Sequence, residues 1–326
     1  MQIIARRLGG ALFVLWLVVT ATFALVRAAP GDPAVLLAPP SASAADLART
    51  RRELGLDRPV IEQYARWLGS LLRGDLGKSL ATRRPVGEIL AAALPASLGL
   101  GIASLALSFA IGTIVGTVQA TRAGSRTDRF LTALSVTVYA APSFWLALAL
   151  VALFTYGATR WGFPLSLRLP AFGMRDPAGE ATGWNAAVDV LRHAVLPVTV
   201  LAAVGAAGIA RYARSAVLDL LRHDWVRTAR AKGLPARGVI GRHVLRNALP
   251  PLIVLLSLAL PGVVAGSVFV ESVFAWPGMG RAMLQAIAQR DVPVILGATV
   301  LYAGLVIASN LAADAVLLWV DPRRRA

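Results

Sequence analysis

Long uninterrupted apolar runs are the feature of this sequence that most restricts its fold. Several of them reach the roughly 18–20 residues that a helix needs to cross a bilayer. The chain has 326 residues, of which 57% are hydrophobic and only 15% are charged. A soluble domain of this length carries about a quarter charged residues. The sequence therefore predicts an all-α integral membrane protein.

The sequence predicts six membrane spans. The first apolar run follows Arg6 and Arg7 and looks like a secretory signal peptide, but it is long, and Arg27 stands where the small residues of a cleavage site belong. We therefore expect an uncleaved first helix. The predicted spans are residues 9–26, 97–120, 130–156, 194–213, 250–270 and 294–320.

The distribution of Lys and Arg predicts the orientation of these spans. With the N-terminus inside, the inside segments hold 17 Lys and Arg in 58 residues, and the outside segments hold 15 in 125 residues. Because cytoplasmic segments carry the excess of positive charge, both termini are expected in the cytoplasm. The net charge of +16 is thus spread over loops beside the lipid membrane. The positive charges therefore mark the cytoplasmic side of the membrane, and no nucleic-acid partner is expected.

The segment between the first two spans is too polar to cross a membrane. Helical periodicity at residues 44–54 and 59–72 predicts a small helical cap on the extracytoplasmic side. The stretch "GDLGKS" at residues 74–79 ends like a phosphate-binding loop, but that motif requires glycine at position 72, which is Leu72. We expect no nucleotide site there.

Other chemistry has little support in the sequence. There is no cysteine. His193, His223 and His243 are not joined by an HExxH pattern, and none has a second ligand at i+3 or i+4, so no metal site is expected. No catalytic constellation is present, and the chain is not expected to be an enzyme. Asp314 is the only ionisable residue well inside a predicted span. One such acid gives an ion-coupled secondary transporter little support as an alternative.

The longest predicted cytoplasmic segment, residues 211–246, contains the basic stretch "RTARAKGLPARGVIGRHVLRN". Residues 216–232 have the pattern of a helix continuing from the fourth span. Gly233 suits the residue after a helix, Leu234 precedes proline, and Pro235 suits the first turn of a second helix. The segment is thus predicted to form a compact helix–turn–helix. It either anchors lipid headgroups or docks its small residues into a partner, and the pattern alone leaves both possibilities open.

Several motifs resemble one family of membrane proteins. The stretch "RTARAKGL…RHVLRNALPP" resembles the cytoplasmic coupling signature of binding-protein-dependent ABC importer permeases, in the form found in the dipeptide/oligopeptide/nickel subfamily. Ala229 and Gly233 hold the Ala and Gly positions of the signature, whereas Arg227 and Thr228 replace its Glu-Ala. Further resemblance lies in "LVRAAPGDPAVLL", "ELGLDRPVIEQYARWLGSLLRGDLGKSL", "APSFWLAL", "VFAWPGMG" and "DPRRR", so that it covers the whole chain.

The resemblance implies a fold, partners and a site. The fold would be that of a type I ABC importer permease in the bacterial inner membrane. The partners would be a second homologous permease, two ATP-binding subunits and an extracytoplasmic substrate-binding protein. ATP and Mg would bind the ATPase partners, and this chain would need no cofactor. The implied ATPase-coupling site consists of Arg227, Thr228, Ala229, Arg230, Ala231, Lys232, Gly233, Leu234 and Pro235.

The resemblance also suggests a substrate and a domain division. Di- or oligopeptides are the favoured substrate, with nickel or another small solute as the alternative, and no substrate-binding residue is predicted. We expect residues 1–95 to form the first helix and its cap, and residues 96–320 to form a five-helix permease core that carries the coupling loop 211–246. Residues 321–326 would be a cytoplasmic tail.

Overall fold

The computed structural model describes residues 2–28, 34–35, 41–53, 55–164, 167–177, 179, 182–265 and 267–320. The predicted tail, 321–326, lies outside the described residues. The described chain is almost wholly helical, and six of its helices are long and apolar enough to cross a membrane. It divides into two compact units, of which the first comprises Met1–Ala96 with Pro277–Ile307, and the second Ser97–Trp276 with Ala308–Ala326.

The first unit begins with the long helix α1, Gln2–Ala28, followed by the short helices α2, Ala44–Glu53, and α3, Val60–Leu72. Helix α3 packs on α1 through aromatic rings, because Phe23 stacks on Trp67 with 5.5 Å between ring centroids. Thr20 Oγ1 also lies 2.7 Å from the Tyr64 hydroxyl oxygen. The two helices predicted for the cap are therefore present, and the cap's side of the membrane stays a prediction.

A second cluster in the first unit joins the start of α4, Val86–Thr121, to α11, Met279–Ala288, and to the start of α12, Val292–Val320. Its fully buried side chains include Val86 and Met279. The side chains pack tightly against the backbone of α12 here, since a Cβ placed on Gly297 would lie 2.6 Å from Val86 Cγ1. This cluster holds the loop before α4 close to the start of α12.

The second unit corrects the predicted third span. Residues 130–156 do not form one helix, because α5, Arg126–Ala140, ends at Ala141, which has an extended backbone with φ −72° and ψ 132°. A residue that precedes proline is disfavoured in the helical region, and Pro142 has no N–H to continue the helical hydrogen bonds. The next helix, α6, Ser143–Arg160, is the one long enough to span, and it contains a π-helical turn at Ala152–Gly157.

The remaining helices of the second unit lie around its longest helix, α7, Gly183–Leu221. A short helix α8, Asp224–Ala231, follows, and then α9, which starts as Ala236–Gly238, passes through a π-helical turn at Val239–Val244 and continues as Leu245–Ala265. The short helix α10, Val268–Val273, follows α9. Helices α7 and α9 run through Pro197 and Pro261 without ending.

Small residues allow α4 and α7 to pack with their backbones nearly in contact. A Cβ on Gly116 would lie 2.7 Å from Ala213 Cβ and 2.9 Å from Arg214 N, and one on Gly112 would lie 2.7 Å from Ile209 Cβ. Close approach of this kind is typical of membrane helices, where association depends on van der Waals packing. Gly112 and Gly116 therefore form a packing surface of α4 against α7 in this structure.

We predict that Gly116→Ala destabilises the chain, although alanine is the better helix former. The added methyl group has to displace the backbone of α7, and overpacking of this kind costs about 1–3 kcal/mol. The control is Gly99→Ala on the same helix, where a Cβ meets nothing within 4 Å. Thermal unfolding in detergent should show a lower Tm for Gly116→Ala and an unchanged or higher Tm for Gly99→Ala. Equal Tm values for the two variants would contradict the close packing.

Candidate coupling site

The turn at Gly233 is a Schellman motif, which satisfies the last carbonyl groups of α8. Gly233 N donates to Arg230 O at 2.9 Å, and Leu234 N donates to Ala229 O at 3.3 Å. Gly233 has φ +79°, in the left-handed region that glycine adopts without strain. These are the two hydrogen bonds that define this helix end. The predicted tight turn after α8 is thus confirmed, with Gly233 at the predicted position.

Pro235 lies immediately before α9, one residue earlier than predicted. It has φ −63° and ψ 146° and precedes the helix as its cap residue rather than lying in its first turn. Its carbonyl oxygen accepts hydrogen bonds from Gly238 N at 2.8 Å and Val239 N at 3.1 Å. Leu234, held out of the helical region by the proline that follows it, completes the reversal of the chain.

The predicted continuous helix over residues 216–232 is wrong, because the helix ends at Leu221 and restarts at Asp224. Val217 and Val226 are both fully buried in one cluster. They are nine residues apart, and at about 100° per residue an unbroken helix would place them on opposite faces. The break at Arg222 and His223 therefore allows both valines to face the same core.

This cluster, which we call the loop core, attaches α8 to the ends of two long helices. It contains Val217 from α7, Val226 and Ala229 from α8, and Val239 and Val244 from the π-helical turn of α9. Ala120 and Ala248 complete its buried members. Burial of apolar side chains stabilises such a cluster by about 25 cal/mol per Å² removed from water. The turn at Gly233 is consequently carried on a packed base that includes both α7 and α9.

The residues predicted for coupling do not all lie on the surface. Ala229 is only 8% exposed and belongs to the loop core. The other predicted residues are exposed and form the outer face of the turn, which we call the turn face: Arg227, Thr228, Arg230, Ala231, Lys232, Gly233, Leu234 and Pro235. Arg227 pairs with Asp224 at 3.5 Å, but both side chains are highly exposed, and such a pair adds little stability.

The last residue of the stretch that imitates a phosphate-binding loop, together with the two residues after it, binds a carboxylate of the chain itself. Asp291, 2% exposed, accepts hydrogen bonds from Ser79 Oγ, from Leu80 N at 3.0 Å and from Ala81 N at 3.2 Å. Backbone N–H groups at such a turn favour an anion. The loop does bind an anionic group, but that group is Asp291, and the expectation of no nucleotide site there stays a prediction.

An ion pair missed by the sequence reasoning joins the first turn of α5 to α7. Arg214 donates from Nε and Nη2 to the two carboxylate oxygens of Asp128, at 3.1 and 3.0 Å, and Gly124 N donates to the same carboxylate at 2.9 Å. Hydrogen bonds from Arg214 and Gly124 lower the pKa of Asp128 below its ordinary value. The stabilisation is thus complete above the ordinary aspartate pKa and is lost as pH falls through the lowered one. The "SRTD" capping pattern at 125–128 was the local signal for this site.

Two further acids lie in helices of the second unit. Glu271 is fully buried, and Ser97 Oγ donates to its Oε1 at 2.8 Å. Together with Ser104, Ser108 and Gly205 these residues line a cavity of about 240 Å³. Asp314, the acid singled out from the sequence, lies half-buried on α12. Glu271 was missed because the predicted fifth span ends one residue before it.

Comparison with known proteins matches the chain to one family over nearly its whole length. A family model described as "Binding-protein-dependent transport system inner membrane component" matches residues 108–326, and the model for the N-terminal part of such components matches residues 1–101.

Three curated relatives cover the chain almost completely. The chain is 39% identical to the oligopeptide transport system permease protein AppB of Bacillus subtilis, over 93% of this chain and 92% of the relative. It is 37% identical to the di/tripeptide transport system permease protein DppB of Pseudomonas aeruginosa and 35% identical to the dipeptide transport system permease protein DppB of Escherichia coli K12. Each of these two alignments covers 100% of this chain and 99% of the relative.

A solved structure gives the same picture of the fold. A crystal structure of an amino acid ABC transporter matches 71% of this chain and 94% of its own chain, with a TM-score of 0.50 and 13% identity. At this identity the likeness concerns the fold alone. The predicted six-span ABC importer permease fold is confirmed.

Proposed function

The chain belongs to the family of binding-protein-dependent transport system inner membrane components, and from that membership we propose that it is the permease subunit of an ATP-driven importer of di- or oligopeptides. The observation that carries the peptide assignment is end-to-end similarity to permeases named for peptides, at 35–39% identity. None of these three names supports nickel as the substrate. An ion-coupled transporter is not what the family description states.

The proposed assembly contains this permease, a second homologous permease, two ATP-binding subunits and an extracytoplasmic binding protein. The family description includes dependence on a binding protein and a place in the inner membrane. ATP and Mg would bind the ATPase partners, and the permease itself would have no enzymatic activity. Each permease would contribute half of the translocation pathway.

The turn face is the surface that we propose for docking an ATPase subunit. Gly233, Leu234 and Pro235 fix the turn by backbone geometry, and the small side chains beside them let a partner approach the backbone. A lipid anchor would use the arginine charges and would not need this fixed, small surface. The basic residues around the turn face then serve to place it in the cytoplasm.

The loop core supports a mechanical role for this surface. Because α8 shares one buried cluster with the ends of α7 and α9, a displacement of the turn face would move both long helices together. ATP binding would draw the two ATPase subunits together and carry the turn face with them. The tilt of α7 and α9 would then open the pathway alternately to the two sides of the membrane.

Reconstitution in proteoliposomes tests the function and the orientation together. The chain has no native cysteine, so Ala236→Cys, at an exposed position beside the turn, reports which face of each inserted permease is outward. With all partners present, we expect peptide uptake only when ATP is supplied at the face that carries residue 236. Dipeptides and tripeptides should compete for uptake, and Ni²⁺ should not.

The controls show whether uptake needs ATP hydrolysis or only an assembled complex. Vesicles with a catalytically inactive ATPase subunit should contain the same assembly and show no uptake. Peptide uptake by the permease alone under an ion gradient would contradict the proposal, as would uptake that needs ATP at the opposite face.

A further inference from the structure

The first unit contains a cavity of about 450 Å³ between the end of α1, the cap helix α3 and the start of α12. One part of its lining is apolar and aromatic, with Phe23, Val26, Trp67 and Leu296. The other part is basic and is formed by Arg27, Arg52, Arg58 and Arg66. A cavity with both kinds of lining suits a ligand that has an anionic group joined to an apolar one.

Two of the four arginines lack a carboxylate partner among the described residues. Arg58 and Arg66 share the carboxylate of Glu62, at 2.8 and 2.9 Å. Arg27, half-buried, donates to the Leu56 carbonyl oxygen at 3.3 Å, and Arg52 donates to the Ala48 carbonyl oxygen at 3.3 Å. Within the described part of the chain, neither Arg27 nor Arg52 forms a salt bridge. A guanidinium group has five N–H donors, so most of their donors are available.

The acids of the lining do not neutralise these two arginines. Glu53 pairs with Arg49 at 3.2 Å, and Asp75 accepts a hydrogen bond from Gly77 N at 2.8 Å. The cavity therefore keeps a surplus of positive charge beside Arg27 and Arg52.

The position of Arg27 on α1 places the cavity at the level of lipid phosphates. The apolar part of α1, Gly9–Ala28, is 20 residues long and almost wholly exposed. A helix of this length crosses the hydrocarbon core, so its last turn, with Arg27, lies at the headgroup region. Trp67, which stacks on Phe23 in the cavity wall, is the residue type enriched at that interface.

We propose that this cavity binds the headgroup of an anionic phospholipid. Its phosphate would be held by Arg27 and Arg52, in the bidentate manner that suits guanidinium groups. Its glycerol and first acyl carbons would lie against Phe23, Val26 and Trp67. An anionic headgroup fits better than a zwitterionic one, because a choline or ethanolamine cation would face the surplus of arginine charge. This inference depends on the membrane assignment and not on peptide transport.

Native mass spectrometry of the detergent-purified complex, titrated with phosphatidylglycerol and phosphatidylcholine, tests the proposal. We expect at least about ten-fold tighter binding of phosphatidylglycerol, reduced to the phosphatidylcholine level in Arg27→Gln/Arg52→Gln. The matched control is Arg73→Gln, at an exposed position outside the lining, and it should leave the preference within about two-fold of wild type. If the double variant does not fold, the single variant Arg52→Gln, at an exposed position, should still bind phosphatidylglycerol several-fold more weakly than wild type.

Three results would overturn the proposal. If the folded double variant bound phosphatidylglycerol as tightly as wild type, the two arginines would not be part of the site. Binding of glycerol phosphate as tight as that of the full lipid would make it a site for soluble anions. Displacement of the bound lipid by an equimolar dipeptide would make it a site for the peptide carboxylate.

Discussion

Replacement of Gly233 by valine is expected to reduce ATP-driven uptake at least about ten-fold while the permease still inserts into the membrane. Gly233 has φ +79°, a conformation that costs an L-residue about 1–2 kcal/mol and a β-branched residue more. A Cβ on Gly233 meets nothing within 4 Å, so the substitution does not disturb the loop core by collision. It opens the Schellman turn and changes the shape of the turn face. The expected signs are loss of ATPase co-purification, or ATP hydrolysis that no longer depends on the binding protein and peptide.

Two controls make this prediction specific. Gly74 has the same φ of +79° and also has open space around its Cβ, but it lies in the cap, so Gly74→Val introduces the same strain away from the turn face. Gly233→Asn keeps a residue that tolerates the left-handed region. We expect both variants to retain most uptake. Normal uptake by Gly233→Val, or equal loss in Gly74→Val, would contradict the docking assignment.

The structure also changes which alanine is useful for testing the docking surface. A bulky residue at Ala229 would disrupt the loop core, because Ala229 is buried against its neighbours there. Ala231 is exposed on the turn face, so a bulky residue at that position would obstruct only a partner. A loss of function at position 229 alone therefore says nothing about docking.

The features that the sequence predicted correctly are those that depend on local chemistry. Chain length and apolar character predicted six spans, and the Gly-Leu-Pro sequence at residues 233–235 predicted the turn, because each of these residues restricts its own backbone. The predicted third span, residues 130–156, was wrong at Pro142, which separates two helices because Ala141 takes an extended conformation.

The features that the sequence did not reveal depend on contacts between distant residues. The end of α7 at Leu221 follows from the shared burial of Val217 and Val226, which no pattern within one helix indicates. The pair Asp128–Arg214 joins residues 86 positions apart, and Ser79–Asp291 joins residues 212 positions apart. Only the folded chain shows that Ser79, Leu80 and Ala81, at the end of the glycine-rich stretch, bind an aspartate.

Replacement of Asp291 by alanine is expected to destabilise the first unit by about 1–3 kcal/mol. The buried carboxylate accepts three hydrogen bonds. A buried donor left without an acceptor, here the Ser79 hydroxyl, costs about 1–3 kcal/mol, whereas the part-buried Leu80 N and Ala81 N cost less because water reaches them. Asp291→Asn should lie between alanine and wild type, because the amide keeps one acceptor oxygen but turns an N–H toward the donors. Thermal unfolding in detergent and proteolysis of the cap should both report the loss.

Variants of the loop distinguish this structural role from nucleotide binding. Ser79→Ala removes one donor to Asp291 and also the acceptor of Thr82 N and Thr82 Oγ1, so it should cost about 1 kcal/mol or more. In the double variant with Asp291→Ala, only the part of this cost that belongs to the Asp291 hydrogen bond should disappear. Lys78, the residue that would contact phosphates in a true phosphate-binding loop, is exposed, and Lys78→Ala should leave stability and uptake unchanged. Photo-crosslinking of an ATP analogue to this loop, or loss of uptake in Lys78→Ala, would contradict the assignment. Additive losses in the double variant would show that Ser79 and Asp291 act separately, against the geometry that joins them.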